Sequence, residues 1–265
     1  METREYSHID IKVPAYHNDL LKQVLQIIND DVEIKTLWRV SNINAIDRLG
    51  MTDHGIVHFQ IVANIALRLA RILEKNKVKM SVSNNYGLSN DHAELIILLA
   101  SLFHDLGMTI SRAGHEEFSL ILANSILHRI LEFLPVDERT VVISETLHAI
   151  IAHRSGGDLY TIEGGIVRVA DALDMSQGRS RIPYEAGKMD IHSVSAAAID
   201  KVEILEGEVR PIQINIFMNN IAGIFQVDEL LRRKLVGSGI EKYVTVSAYH
   251  VEGEEKRLVK EFQTV

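Results

Sequence analysis

The chain has 265 residues, 46% hydrophobic and 24% charged, which is the ordinary make-up of a globular protein large enough to build a core without staples. It contains no cysteine, so disulfides, thiolate metal sites and a cysteine nucleophile are excluded, and any metal must be held by nitrogen and oxygen. A formal charge of -8 argues against general affinity for a nucleic-acid backbone, while the 12 histidines are a surplus that hints at a site.

The N-terminus, METREYSHIDIKVP, lacks the apolar core of a signal peptide, and the apolar runs read as too short to span a bilayer; a cytoplasmic protein is expected. Helical spacing of apolar residues then predicts helices over Asn18 to Asn29, Asp31 to Ile46 and Asp53 to Lys75. The polar stretch MSVSNNYGLSND reads as a loop, and Asp91 with Glu94 as the N-cap pair of a helix that runs into His104 and Asp105 and stops at Gly107. Further helices are expected over Glu116 to Phe133, Asp137 to His153 and Gly164 to Asp174.

From about Ile191 the texture changes to β-branched alternation. KVEILEGEVRPIQINIFMNN predicts a hairpin, QVDELLRRKLVGSG an amphipathic helix and KYVTVSAYHVEG a strand. The expected architecture is a mainly α protein, with an all-α bundle over residues 1–190 and a small α+β module over 191–265. That module is a candidate for dimerisation, giving a homo-oligomer, or for regulation.

Polar groups sit where the pattern calls for apolar ones. His58 lies on a stripe continued by Ile61, Val62, Ile65, Leu69 and Ile72, with His54 one turn earlier. In AELIILLASLFHDLG a helix that is apolar nearly all round ends in His104 and Asp105, and a carboxylate buried there needs a cation beside it. Asp171 sits among Ile166, Val167, Val169, Ala170 and Leu173. His115 stands at the mouth of one helix and His153 at the end of another. His58, His104, Asp105 and Asp171 together suit a divalent ion (Mn, Fe, Mg, Co, Ni or Zn) with positions open for water or substrate, and His115 with His153 would add a second ion. His148 faces elsewhere on its helix and reads as structural; His192 and His250 are isolated.

A histidine, a distant His-Asp pair and a further distant aspartate make this sequence resemble the HD superfamily of metal-dependent phosphohydrolases. The match covers roughly Thr52 to Asp174, through His58 in HGIVHFQIVA, His104 and Asp105 in FHDLG, and Asp171 in RVADALD. The resemblance implies an HD-type helical bundle and metal-dependent hydrolysis of a phosphate ester, commonly in a nucleotide or related small molecule, with His115 and His153 in the order of a second ligand pair. LGMTISRAG after the His-Asp departs from the (p)ppGpp hydrolases, and the glycine-tyrosine-proline signature of cyclic-di-GMP phosphodiesterases is missing. His115 or Glu116 could protonate the leaving oxygen. Arg179, Arg181 and Arg154, with His54, are candidates for holding the substrate. Two alternatives stand beside this reading: an HD-type di-iron oxygenase, and a non-catalytic nucleotide-binding or signalling HD module.

Overall fold

The computed structural model describes residues 9–154, 156–175, 195, 197–253 and 255–263. Helix α1 (Asp19–Asp30) is capped by Asn18, whose side chain accepts from the Leu21 amide, and α2 (Val32–Ile43) by Asp31, which accepts from Ile34. A π-helical turn, Asn44–Arg48, extends α2. Then come α3 (Ile56–Lys75), α4 (Ser81–Tyr86) and α5 (Asn90–Phe103). A 3-10 turn, Leu106–Thr109, leads to α6 (His115–Ile130), α7 (Val136–Ala152) and α8 (Ile162–Leu173).

Helix α5 is the axis of the bundle. Every residue from Ala93 to Phe103 is buried, so the helix needs cover on all sides, and α1, α3, α4, α7 and α8 supply it. The expected mainly α bundle followed by a small α+β module is what the chain forms.

The C-terminal module is one sheet of order β1-β2-β3-β4: β1 (Ile199–Glu206), β2 (Ile212–Met218), β3 (Val244–Glu252) and β4 (Glu255–Gln263). The β1-β2 and β3-β4 pairs are antiparallel and β2-β3 is parallel. The parallel step requires a crossover. It contains α9, residues 226–235, which is π-helical over Gln226–Arg232 and α-helical over Arg233–Leu235. The register sets Ile204, Ile214, Val246 and Phe262 in one row across the sheet. The buried members of this face join the apolar core of the helical bundle, and α9 packs on α8.

Several expectations are corrected. The stretch read as a loop before α5 contains α4. Asp91 and Glu94 do not cap α5; Ser89 occupies that position, and Glu94 turns inward to accept from Arg71 and Asn18. Helix α5 ends at Phe103, so Gly107 is not its stop. Helix α3 starts at Ile56, which leaves His54 in the turn before it, and Ile61 points outward at 37% exposure. The edge strand β4 had no sequence signal. Helix α3 is also long and apolar enough, by length and composition, to cross a bilayer, contrary to the expectation. Its packing against α5 and α8, with His58 turned inward, marks it as a core helix.

Asp31 joins two jobs, capping α2 and pairing with Arg129 of α6. Burial pushes its carboxyl up, but the helix-end amides and Arg129 outweigh this and hold it below its ordinary 3.8. Its stabilisation is therefore complete above that value and is lost as the pH falls below it. Asp31→Ala is expected to cost about 0.5–2 kcal/mol at neutral pH. In chemical denaturation the gap between variant and parent should close on acidification below the ordinary carboxylate value.

Candidate metal centre

The His-Asp pair sits where α5 runs out. His104 is the last helical turn's C-cap, and Asp105 leaves the helical conformation with φ -108° and ψ 13°. Adjacent residues of an intact helix diverge by about 100°. The break turns both side chains toward one centre. Helix α2 holds this turn from behind: the Trp38 indole donates to the Leu102 carbonyl at 3.0 Å, and Asn44 Nδ2 donates to the Met108 carbonyl at 2.8 Å. Ser41 Oγ donates to the His54 carbonyl at 2.8 Å.

Gly107 has a steric purpose. A Cβ there would meet the His115 carbonyl at 1.9 Å and the Ser119 amide at 2.7 Å, so the first turn of α6 lies directly on this glycine. Ser119 Oγ accepts from the Gly107 amide at 2.8 Å and lies 2.7 Å from the His104 carbonyl. The same contact delivers His115.

Five histidines converge, and four of them share one polarity. Nδ1 of His54 faces the Thr52 carbonyl at 2.7 Å, that of His104 the Ser101 carbonyl at 3.0 Å, and that of His153 the Ile150 carbonyl at 2.6 Å. His58 Nδ1 meets Asp174 Oδ2 at 2.6 Å. These partners are acceptors, so Nδ1 carries the hydrogen and each Nε2 turns a lone pair inward when the ring is neutral. His115 Nδ1 is in mixed company, with the Arg112 carbonyl at 3.0 Å, Arg112 Nη1 at 2.9 Å and Glu116 Oε2 at 3.1 Å.

Asp105 stands between two groups of these rings. Its Oδ2 lies 3.3 Å from His104 Nε2 and 3.8 Å from the Nε2 atoms of His54 and His58. Its Oδ1 lies 3.0 Å from His115 Nε2 and 3.7 Å from His153 Nε2. Asp171 Oδ1 closes the first group, 3.5 Å from His58 Nε2 and 3.8 Å from His104 Nε2. Among the described residues three overlapping donor sets result, each with its atoms within 4.8 Å of one another: His58-His104-Asp171, His104-Asp105-His153 and His115-Glu116-His153. Imidazole and carboxylate donors in this number suit a divalent first-row ion or magnesium, so the residues fit a metal.

The protonation pattern supports this. Burial pushes the Asp105 carboxyl up, but the charge and hydrogen bond of His104, with His115 and His54, hold it well below the usual carboxylate range. Burial pushes His104 down, and the Asp105 and Asp171 carboxylates outweigh that and raise it. His153 is lowered to about 3, by burial first and then by the charge of His104, with Lys234 adding to the effect. His104 Nε2 and His58 Nε2 are 3.2 Å apart, so the two rings converge on one point.

The proposed ligands His58, His104, Asp105, Asp171, His115 and His153 are all brought together, with Glu116 beside them. His54 joins through Asp105 although it lies off the helix. Arg154 is 65% exposed, with Nε 3.6 Å from Glu116 Oε1. Arg179 and Arg181 lie outside the described residues. His148 is structural as expected, accepting from the Tyr160 amide at 3.0 Å and stacking on that ring. Sequence reasoning missed Asp174, Ser41, Ser119 and Lys234, whose Nζ pairs with Asp171 Oδ2. Asp174 had a signal, since it stands three residues after Asp171 on the same helical face.

The helical bundle and this nest of histidines and carboxylates define a metal-dependent hydrolase of the HD type. The model of the HD domain matches residues 55–176, and the chain belongs to the HD superfamily of metal-dependent phosphohydrolases. It is 41% identical over 233 residues to the uncharacterized protein MJ1020 of Methanocaldococcus jannaschii, covering 86% of this chain and 90% of the relative. No solved structure matches the chain.

Two variants test the geometry. Gly107→Ala is expected to force α6 off the His-Asp turn at about 1–3 kcal/mol, read as a lower melting temperature together with weaker metal uptake. Asp174→Ala removes the outward partner of His58, and calorimetric metal affinity should fall about 10- to 100-fold with the circular dichroism spectrum unchanged.

Proposed function

We propose that the protein hydrolyses a phosphate ester of a nucleotide or a related small phosphorylated molecule, using one divalent ion held by His58, His104, Asp105 and Asp171. The observation that carries this reading is the common polarity of the imidazoles, with Nδ1 tied off outward and Nε2 turned onto Asp105. An ion bound there supplies an acidified water and offsets charge on the phosphoryl group.

The chain's own groups do the rest. Asp105, held ionised, keeps the two groups of rings in register through its separate oxygens. His115 Nδ1 and Glu116 Oε2, 3.1 Å apart, hold a proton for the leaving oxygen. Arg154, leaning on Glu116 with its guanidinium exposed, is placed to meet an anionic substrate at the rim. The apolar wall that buries His104 and Asp105 keeps bulk water off these groups and strengthens their interactions.

The test is a screen of nucleotides, p-nitrophenyl phosphate and bis(p-nitrophenyl) phosphate with Mn, Mg, Co, Ni, Fe and Zn, with ions per chain counted by elemental analysis. The expected result is release of phosphate or phosphate monoester, the two chromogenic esters separating monoesterase from diesterase activity. Asp105→Ala and His104→Ala should each fall by at least about a hundredfold. Two irons per chain, oxygen consumption and no phosphate release would replace this reading with an oxygenase. A count of two ions would move His115 from proton carrier to ligand.

A further inference from the structure

Lys234 comes from the C-terminal module, 63 residues after Asp171, and its Nζ donates to Asp171 Oδ2. The contact is sheltered, with the lysine side chain 17% exposed and the aspartate 13%. Asp171 thus divides its oxygens. Oδ1 faces the Nε2 atoms of His58 and His104, and Oδ2 carries the ammonium. Withdrawing an ammonium from water is costly unless its donors are used. Among the described residues Asp171 is the one hydrogen-bond partner of Lys234, and an ammonium has three N–H donors. The charge also reaches His153, on the other side of the cluster.

The lysine is built into place. The turn before it, Gln226–Arg232, is π-helical, a local widening that re-aims the residues that follow. Just after it, the Ser238 carbonyl lies where a Cβ on Gly165 would be, at 1.9 Å. Gly165 stands on α8, the helix that carries Asp171. The backbone contact fixes the base of Lys234 relative to the carboxylate it meets.

We propose that Lys234 is a substrate-phosphate-binding residue of this centre, delivered by the C-terminal module. It keeps one N–H on Asp171 Oδ2, which leaves Oδ1 turned to the imidazoles, and offers the remaining donors to phosphoryl oxygens. The module is then one wall of the active site. This inference rests on the phosphohydrolase reading above.

Inorganic phosphate titrated calorimetrically into protein loaded with Mg2+ or Mn2+ tests it. Lys234→Met should weaken phosphate binding by about tenfold or more, the scale of a lost charge-assisted hydrogen bond, with the number of ions bound per chain and the melting temperature little changed. Lys234→Arg should restore much of the affinity, since it keeps the charge. Phosphate binding by Lys234→Met equal to that of the parent would overturn the inference alone. So would loss of the ion and of thermal stability in both variants, which would make the lysine a brace. A parent that takes up the ion but no phosphate would overturn both this inference and the phosphohydrolase reading.

Discussion

One buried carboxylate organises the molecule. Asp105 is almost entirely withdrawn from solvent at the end of a helix buried on all sides, where an unpaired charge would cost several kcal/mol. The cost is offset because its oxygens meet different partners, Oδ2 the rings of His104, His54 and His58, and Oδ1 those of His115 and His153. Each ring is turned by a carbonyl or carboxylate behind it. The inward lone pairs would repel one another at these separations unless something positive lay among them. A divalent ion held among them would meet that need. Any cation that binds only the folded chain also stabilises it, so function and stability draw on one set of contacts.

Backbone geometry makes this arrangement narrow. Gly107 lets α6 settle onto the turn after α5, and Ser119 ties the turn to α6 through the Gly107 amide. Trp38, Ser41 and Asn44 press the same turn from α2. None of these residues touches the centre with a donor atom of its own, yet each sets where His104, Asp105 or His115 points. The close packing of a protein interior means that an added methyl group at Gly107 has nowhere to go but into the approach of α6.

How much of this could be read from the chain depends on distance along it. His58, His104, Asp105 and Asp171 are legible because a polar residue inside a helical apolar stripe is a local pattern, and the stripes themselves delimit the helices to within a few residues. His115 and His153 lie at helix ends, where they break no periodicity, and their positions at a helix mouth and a helix end, with their order along the chain, picked them out. Ser41 and Ser119 act through hydrogen bonds made by tertiary approach, which no window of sequence contains, whereas Asp174 carried a local signal in its spacing from Asp171 and only its partner His58 is distant. Lys234 is the extreme case: LLRRKL reads as an ordinary amphipathic surface, and its partner is in another module. Strand β4 was invisible because EKRLVKEFQ does not alternate; Leu258 and Val259 are consecutive and both exposed. His54 was placed on the right face by a helix that does not extend that far, and reaches the centre through the turn instead.

The HD match ends at residue 176, but the physical unit does not. Helix α8 presents Asp171, and Asp174 follows directly at its C-cap; the helix opens on two glycines that give up side-chain volume so that neighbours can close in. At Gly164 the close neighbours are Leu159 and the α7 backbone at Ala149, and at Gly165 the neighbour is the Ser238 carbonyl. One side of the ligand-bearing helix is therefore held by the bundle and the other by the C-terminal module. The inward face of the sheet, Ile212, Ile214, Ile216, Val244 and Val246, is continuous with the bundle's core, so parting the two would expose apolar surface on both. A chain cut after the family boundary would keep every imidazole of the centre and lose the support that holds Asp171 among them. The C-terminal module thus helps position Asp171 in the candidate metal centre through Lys234 and Ser238, and its apolar core continues that of the bundle across the family boundary.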